Sequence, residues 1–163
     1  RMGADVRLDN VRGAQGETIG AVRVRHGPIF GAEFTADEIP SMIDEIPILA
    51  VVAAFARGET RIEGLGELRH KESDRLALMA EGLTACGLEA LVEGDTLIIQ
   101  GGRVAGGATV RTHGDHRIAM AHLVLGLSAE QPVTVEDADM IATSFPTFRE
   151  AMRGVGAQIE EAR

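Results

Sequence analysis

What the chain lacks narrows it first. Its 163 residues contain one cysteine, Cys86, so no intrachain disulfide can form and a reducing compartment is expected. Cys86 falls in a predicted helix, where a lone thiol reads as a small buried hydrophobe rather than a nucleophile. The apolar runs at 46–56 and 118–127 fall short of the roughly 20 residues that a bilayer demands, and no secretory signal opens the chain. The expectation is a cytoplasmic protein with no membrane partner. Basic charge is scarce: 16 lysines and arginines face 25 aspartates and glutamates, for a formal net charge of -9 and a pI near 5.0. Nucleic-acid binding needs a broad basic surface, so that class is excluded and any anion has to be met by local cations. None of the five histidines stands at metal-ligand spacing from a cysteine partner, and no metal is expected. The glycine-rich stretches "GAQGET", "GLGEL" and "GGRVAGG" lack the lysine of a phosphate loop and read as turns.

What is present is a core and a repeat. A composition that is 45% hydrophobic and 25% charged suffices for one soluble domain. The grammar of helix end, glycine and strand recurs in "RMGADVRL", "TACGLEALV" and "RGVGAQIEE", with Gly3, Gly87 and Gly156 as left-handed helix terminators. A longer match relates "DEIPILAVVAAFARGETRIEGL" from Asp44 to "DHRIAMAHLVLGLSAEQPVTVEDA" from Asp115. Offsets of 71 for Asp44 to Asp115, 73 for Glu63 to Glu136 and 69 for Gly87 to Gly156 mark a structural repeat.

The last copy reads as strand 109–112, helix 116–128, strand 133–136, helix 145–155 and strand 157–160. The middle copy adds a hairpin, "LEALVEGDTLIIQ", turning at Gly94-Asp95. The expected class is therefore α/β, built of repeated β-α-β-α-β-β units. The first helix of each copy is apolar all round and belongs inside the domain. The second is amphipathic, with Leu76, Met79, Ala80 and Leu83 on one face, and Phe145, Phe148, Met152 and Val155 on the corresponding one. Helices inside and strands outside is the implied layering. Residues 1–43 are expected to hold the end of one unit and a connection, 44–107 a middle unit and 108–163 the last unit. Arg1-Met2-Gly3 reads as the final turn of a helix, which makes the chain a partial domain, and segment 13–42 reads as connection.

The densest chemistry lies in "RHKESDRLALM", residues 69–79, where cations and carboxylates crowd the mouth of an apolar helix. If Ser73 or Glu72 caps that helix, Lys71 and Arg75 stand where the helix dipole already makes the end positive. Such a place is a prepared anion site. "THGDHRIAM" repeats the conflict, with Asp115 as N-cap and Arg117 in the first turn. The competing reading is a solvated lattice of i, i+3 and i, i+4 salt bridges among Lys71, Glu72, Asp74 and Arg75. Asp44 likewise reads either as a site residue or as an N-cap ahead of Pro47. Spacing alone leaves both pairs of readings open.

"HKESDRL", "GDHRIAM", "PSMIDEIPILAVVAAFARGET" and "MIATSFPTF" together resemble the C-terminal part of the 3-phosphoshikimate 1-carboxyvinyltransferase (EPSP synthase) family, over essentially the whole chain. "SMIDE", "LRHKESDRL" and "MIATSFP" look more like its glyphosate-tolerant bacterial subgroup. The resemblance implies an inside-out α/β barrel half, enolpyruvyl transferase-like, with a cleft completed by an N-terminal domain. It implies transfer of the enolpyruvyl group of phosphoenolpyruvate to the 5-hydroxyl of shikimate 3-phosphate, with no cofactor. Carried over by motif, Asp44 holds the shikimate hydroxyls and is a candidate base. Lys71 stands at the same hydroxyl, and Glu72 is the acid toward the phosphoenolpyruvate methylene. Arg75 and Arg117 hold the phosphoenolpyruvate carboxylate, and removal of either is expected to weaken that substrate without destabilising the fold. Where part of the family has a phosphate-contacting lysine, this chain has Thr143. The chain by itself is expected to be inactive. The rival readings are a fragment of the enolpyruvyl transferase acting on UDP-N-acetylglucosamine, and a non-catalytic binding module of the same fold.

Overall fold

A computed structural model describes residues 1–14 and 16–161. Strands β1 (Asp5–Ala14) and β2 (Glu17–Arg25) form an antiparallel hairpin in a sheet of their own. Thus the alternating "AVRVR" belongs to a strand, where a connection was expected. Period-2 alternation places Val22 opposite Leu8 and Val24 opposite Val6, so the apolar side chains share one face and the charged ones the other. The hairpin is irregular near Asn10, whose φ is +54°, between the pairs at Asp9 and Arg12.

The second sheet runs in the order β3 (Glu33–Phe34), β4 (Gly58–Ile62), β6 (Thr96–Gly101) and β5 (Glu89–Glu93). β3 pairs parallel to β4 and the rest are antiparallel; the hairpin β5–β6 turns at Gly94-Asp95 as expected. A third, small sheet pairs β7 (Thr109–Val110) parallel to β8 (Thr134–Val135). Both parallel pairs are preceded by an isolated parallel bridge, Phe30 with Arg57 and Gly106 with Gln131, so the two copies share one β-helix-β grammar. Expected strands 109–112 and 133–136 shrink to two residues each, because the ladder between them is that short.

Helices α1 (Ile46–Ala54), α2 (Arg75–Ala85) and α3 (His116–Gly126) pack against one another. Their shared core holds Ile46, Ala50 and Ala53 from α1, Leu76, Met79 and Leu83 from α2, and Ile118, Ala121 and Leu125 from α3. α1 is not buried all round: Ile48 and Val52 remain 40% and 38% exposed while Ala50, Ala53 and Ala54 are fully covered. Cys86 is a free, buried thiol, and burial raises its pKa, in keeping with an inert small hydrophobe.

Helix α4 (Phe148–Gly154) is shorter than expected. Pro146 disfavours helical geometry at Phe145, so the helix begins after it and a 3-10 turn, Ala138–Thr143, precedes. Phe148 is buried and Val155, beyond the helix end, is 80% exposed, which corrects the four-residue face. Residues 157–160 have no ladder partner among the described residues, although Ile159 is buried and its carbonyl accepts from Arg153 Nε at 3.0 Å. Residues 1–4 are not helical.

The glycine terminators hold for two helices. After α2, Gly87 N–H donates to Thr84 O and Leu88 N–H to Leu83 O; after α4, Gly156 N–H donates to Arg153 O and Ala157 N–H to Met152 O. Both are Schellman motifs, with φ of +90° at Gly87 and +96° at Gly156. Among the described residues no helix is long and apolar enough to cross a membrane.

Candidate active site

The mouths of α1, α2 and α3 meet, and all five residues singled out in the sequence lie there. Asp44 sits in the 3-10 turn Ile43–Glu45 that leads into α1; the N-cap position is Glu45, so the Asp44 carboxylate is not spent on a cap. Pro47 falls in the first turn as expected. Lys71 ends the 3-10 turn Gly66–His70. Glu72 follows, and the cap of α2 proves to be Asp74, which accepts from Ala77 N–H at 2.9 Å, rather than Ser73 or Glu72. Arg75 opens α2 and Arg117 lies in the first turn of α3, behind Asp115.

Arg75 is the hub. It is only 1% exposed, and each of its nitrogens meets a different carboxylate: Nε donates to Asp115 Oδ2 at 2.8 Å, Nη1 to Asp44 Oδ1 at 3.2 Å and Nη2 to Glu72 Oε2 at 2.5 Å. Those carboxylates cancel the dipole conflict that a cation at a helix N-terminus creates. Of the expected lattice Arg75–Glu72 forms, at 2.5 Å, while Lys71 pairs with Glu67 at 2.7 Å and Asp74 with Arg69 at 3.4 Å; Arg75 itself is buried, and its other partners lie 31 and 40 positions away. Lys71 Nζ also lies 3.8 Å from Asp44 Oδ1, and the bond with Glu67 raises the ammonium above its ordinary pKa. Arg117 Nη1 donates to the Asp44 carbonyl oxygen at 2.9 Å. Asp44 thus touches Lys71, Arg75 and Arg117.

Burial differs sharply within the cluster. Asp115 is 0% exposed, whereas the side chains of Asp44 and Glu72 are 43% and 51% exposed. Burial pushes the Asp115 carboxyl up, but bonds from Arg75 and Ser73, the Arg75 charge and the Ile118 N–H outweigh it and leave the pKa lowered. Removing Arg75 would strand that buried anion at a cost of about 3 to 5 kcal/mol. The expectation that Arg75 can be deleted without loss of stability is therefore corrected: a residue with a buried partner is part of the fold.

Asp115 was read only as an N-cap. Its Oδ1 does cap α3, but nothing in the local pattern revealed that Oδ2 reaches Arg75. The repeat offset was the one signal: Asp44 and Asp115 are equivalent positions and grip the same guanidinium. A cleft of about 380 Å³ lies beside the cluster, lined in part by Glu72, Ser73, Leu78 and His113. It excludes Arg75, Lys71 and Arg117, so the convergence of charge is the better guide to chemistry. Thr143 is exposed, and its hydroxyl donates to Met140 O at 2.7 Å. Among the described residues no group of three or more histidines, cysteines, aspartates and glutamates could hold a metal ion.

The order of sheets and helices is that of the inside-out α/β fold of enolpyruvyl transferases. Nearly the whole chain, 99% of it, superposes on an EPSP synthase from Acinetobacter baumannii with a TM-score of 0.93 and 39% identity, covering 38% of that chain. The enolpyruvyl transferase NikO from Streptomyces tendae shares the fold, with a TM-score of 0.70 at 24% identity over 96% of this chain and 34% of that one. In sequence, 97% of the chain is 57% identical to the 3-phosphoshikimate 1-carboxyvinyltransferase of Phenylobacterium zucineum (strain HLK1), covering 35% of its length. The corresponding protein of Caulobacter vibrioides (strain NA1000 / CB15N) is 53% identical over 99% of the chain and 37% of its own length. The profile of the family described as EPSP synthase (3-phosphoshikimate 1-carboxyvinyltransferase) matches residues 1–152. The chain belongs to the EPSP synthase family and spans little more than a third of the length of these relatives.

Proposed function

We propose that the chain is the C-terminal part of an enzyme that transfers the enolpyruvyl group of phosphoenolpyruvate to the 5-hydroxyl of shikimate 3-phosphate. An N-terminal domain of the same enzyme completes the cleft, in the cytoplasm. Within the chain, 1–43 ends one unit, 44–107 forms the next and 108–163 the last. Arg75 and Arg117 hold the phosphoenolpyruvate carboxylate. Asp44 and Lys71 bind the hydroxyl side of shikimate 3-phosphate, Asp44 taking the 5-hydroxyl proton as the oxygen attacks C2. Glu72 donates a proton to the methylene carbon, giving a tetrahedral adduct. Loss of a methyl proton and departure of phosphate then restore the double bond.

The observation that carries this reading is the Arg75 hub in a chain of this family. A buried arginine is held rigidly at Nε, while its two outer nitrogens face Asp44 and Glu72, the carboxylates given the base and acid roles. Addition builds cation-like character at C2 beside a fixed carboxylate, and this chemistry uses an acid, a base and cations together. The Thr143 position bonds to its own turn, so phosphate recognition falls to the N-terminal domain.

Phosphate release by the full-length protein, followed with each acceptor, tests the reading. Saturable turnover with shikimate 3-phosphate and none with UDP-N-acetylglucosamine is expected, with the isolated chain at background. Turnover with the nucleotide sugar instead, or with neither acceptor, would overturn it.

A further inference from the structure

We infer that Asp115 is a positioning residue for substrate binding: one buried carboxylate that aligns Arg75 of α2 with Arg117 of α3. The inference rests on the proposed role of the two arginines. Oδ1 faces α3 and accepts from the backbone N–H groups of Arg117 at 2.9 Å and Ile118 at 3.3 Å. Oδ2 faces α2 and accepts from Arg75 Nε at 2.8 Å and Ser73 Oγ at 2.9 Å. The two oxygens thus join helix mouths that belong to different copies of the repeat, and no water competes, because Asp115 is 0% exposed.

Capping alone does not call for an aspartate. Asparagine and serine cap a helix about as well, since one acceptor oxygen suffices. The second oxygen is what needs the carboxylate. Held through Nη1 and Nη2 by half-exposed Asp44 and Glu72, a guanidinium could still swing. A buried bond at Nε fixes its plane and aims the two outer nitrogens at one direction. The same residue fixes the backbone from which Arg117 projects, so the angle between the two arginines depends on a single side chain.

Asp115→Asn separates the functions. Its amide oxygen can still cap α3, but its NH2 group then meets the Arg75 Nε–H, donor against donor, and the guanidinium must turn away. In the full-length enzyme Asp115→Asn is expected to weaken phosphoenolpyruvate by about 10- to 100-fold, the scale of one charged hydrogen bond, with shikimate 3-phosphate affinity changed less than about twofold. Arg75→Lys keeps the buried charge but loses the fork. In that background Asp115→Asn should add less than about twofold, because its effect passes through Arg75. Equal losses for both substrates, or an undiminished loss in the Arg75→Lys background, would make Asp115 a purely structural cap. A normal phosphoenolpyruvate affinity in Arg75→Lys would overturn the role of Arg75 as well, whereas a weakened Arg75→Lys beside a normal Asp115→Asn overturns the present inference alone. Should Asp115→Asn not fold, Ser73→Ala carries the test. Loss of one donor to Oδ2 should weaken phosphoenolpyruvate selectively by about two- to fivefold, and no change would overturn the inference.

Discussion

Gly82 of α2 faces His122 of α3 so closely that a Cβ at position 82 would lie 2.1 Å from His122 Nε2. This contact sets the spacing of the two helices that carry Arg75 and Arg117. The imidazole is 0% exposed, with Nδ1 3.0 Å from the Ile118 carbonyl oxygen, and its Nε2 has no hydrogen-bond partner among the described residues.

Gly82→Ala should therefore destabilise the protein. Alanine gains about 1 kcal/mol of helix propensity over glycine, but overpacking a filled core costs about 1 to 3 kcal/mol, and the obstruction here is a rigid ring. The net loss should be recovered in part by Gly82→Ala with His122→Ala, which opens the space. Chemical denaturation of the four proteins measures it; additive losses would mean that the two positions do not share one space.

Protonation of His122 should also matter. Burial lowers its pKa below the ordinary 6.5, against the opposing effect of the Ile118 carbonyl. The unfolded chain then binds the proton more readily than the folded one, so this contribution is complete above about pH 6.5 and is lost as pH falls toward the lowered value. His122→Leu should flatten the stability curve between about pH 7 and pH 5. An unchanged slope would assign the acid sensitivity to other groups.

Glu72→Gln addresses the proposed acid. The amide keeps a hydrogen-bonding oxygen toward Arg75 but cannot donate a proton to carbon. In the full-length enzyme kcat should fall by about 10²- to 10⁴-fold with both substrates still bound. A raised KM at normal kcat would make Glu72 a binding residue.

Much of this was legible in the sequence, and the reasons are local. The repeat offsets, the glycine terminators Gly87 and Gly156, and the hairpin at Gly94-Asp95 are all written in short stretches whose conformations depend on near neighbours. The convergence of Asp44, Lys71, Arg75 and Arg117 was legible only because motif resemblance supplied long-range information. What stayed hidden was non-local. The choice of Asp74 over Ser73 as cap depends on Ser73 being drawn to Asp115, 42 residues on. The second oxygen of Asp115 finds Arg75 across a helix pair. The exposure of Val155 and the irregular backbone of 157–160 depend on what lies beside them, which periodicity does not carry.

The proposed function has Arg75 and Arg117 holding one carboxylate. Calorimetry of phosphoenolpyruvate binding to the full-length wild type, Arg75→Lys, Arg117→Ala and the double variant tests it most directly, with Arg75→Lys chosen because Asp115 needs a buried cation. Each single change should cost about 1.5 to 3 kcal/mol for phosphoenolpyruvate with little change for shikimate 3-phosphate, and the double variant should lose less than the sum. Strict additivity, or equal loss for shikimate 3-phosphate, would contradict a shared site.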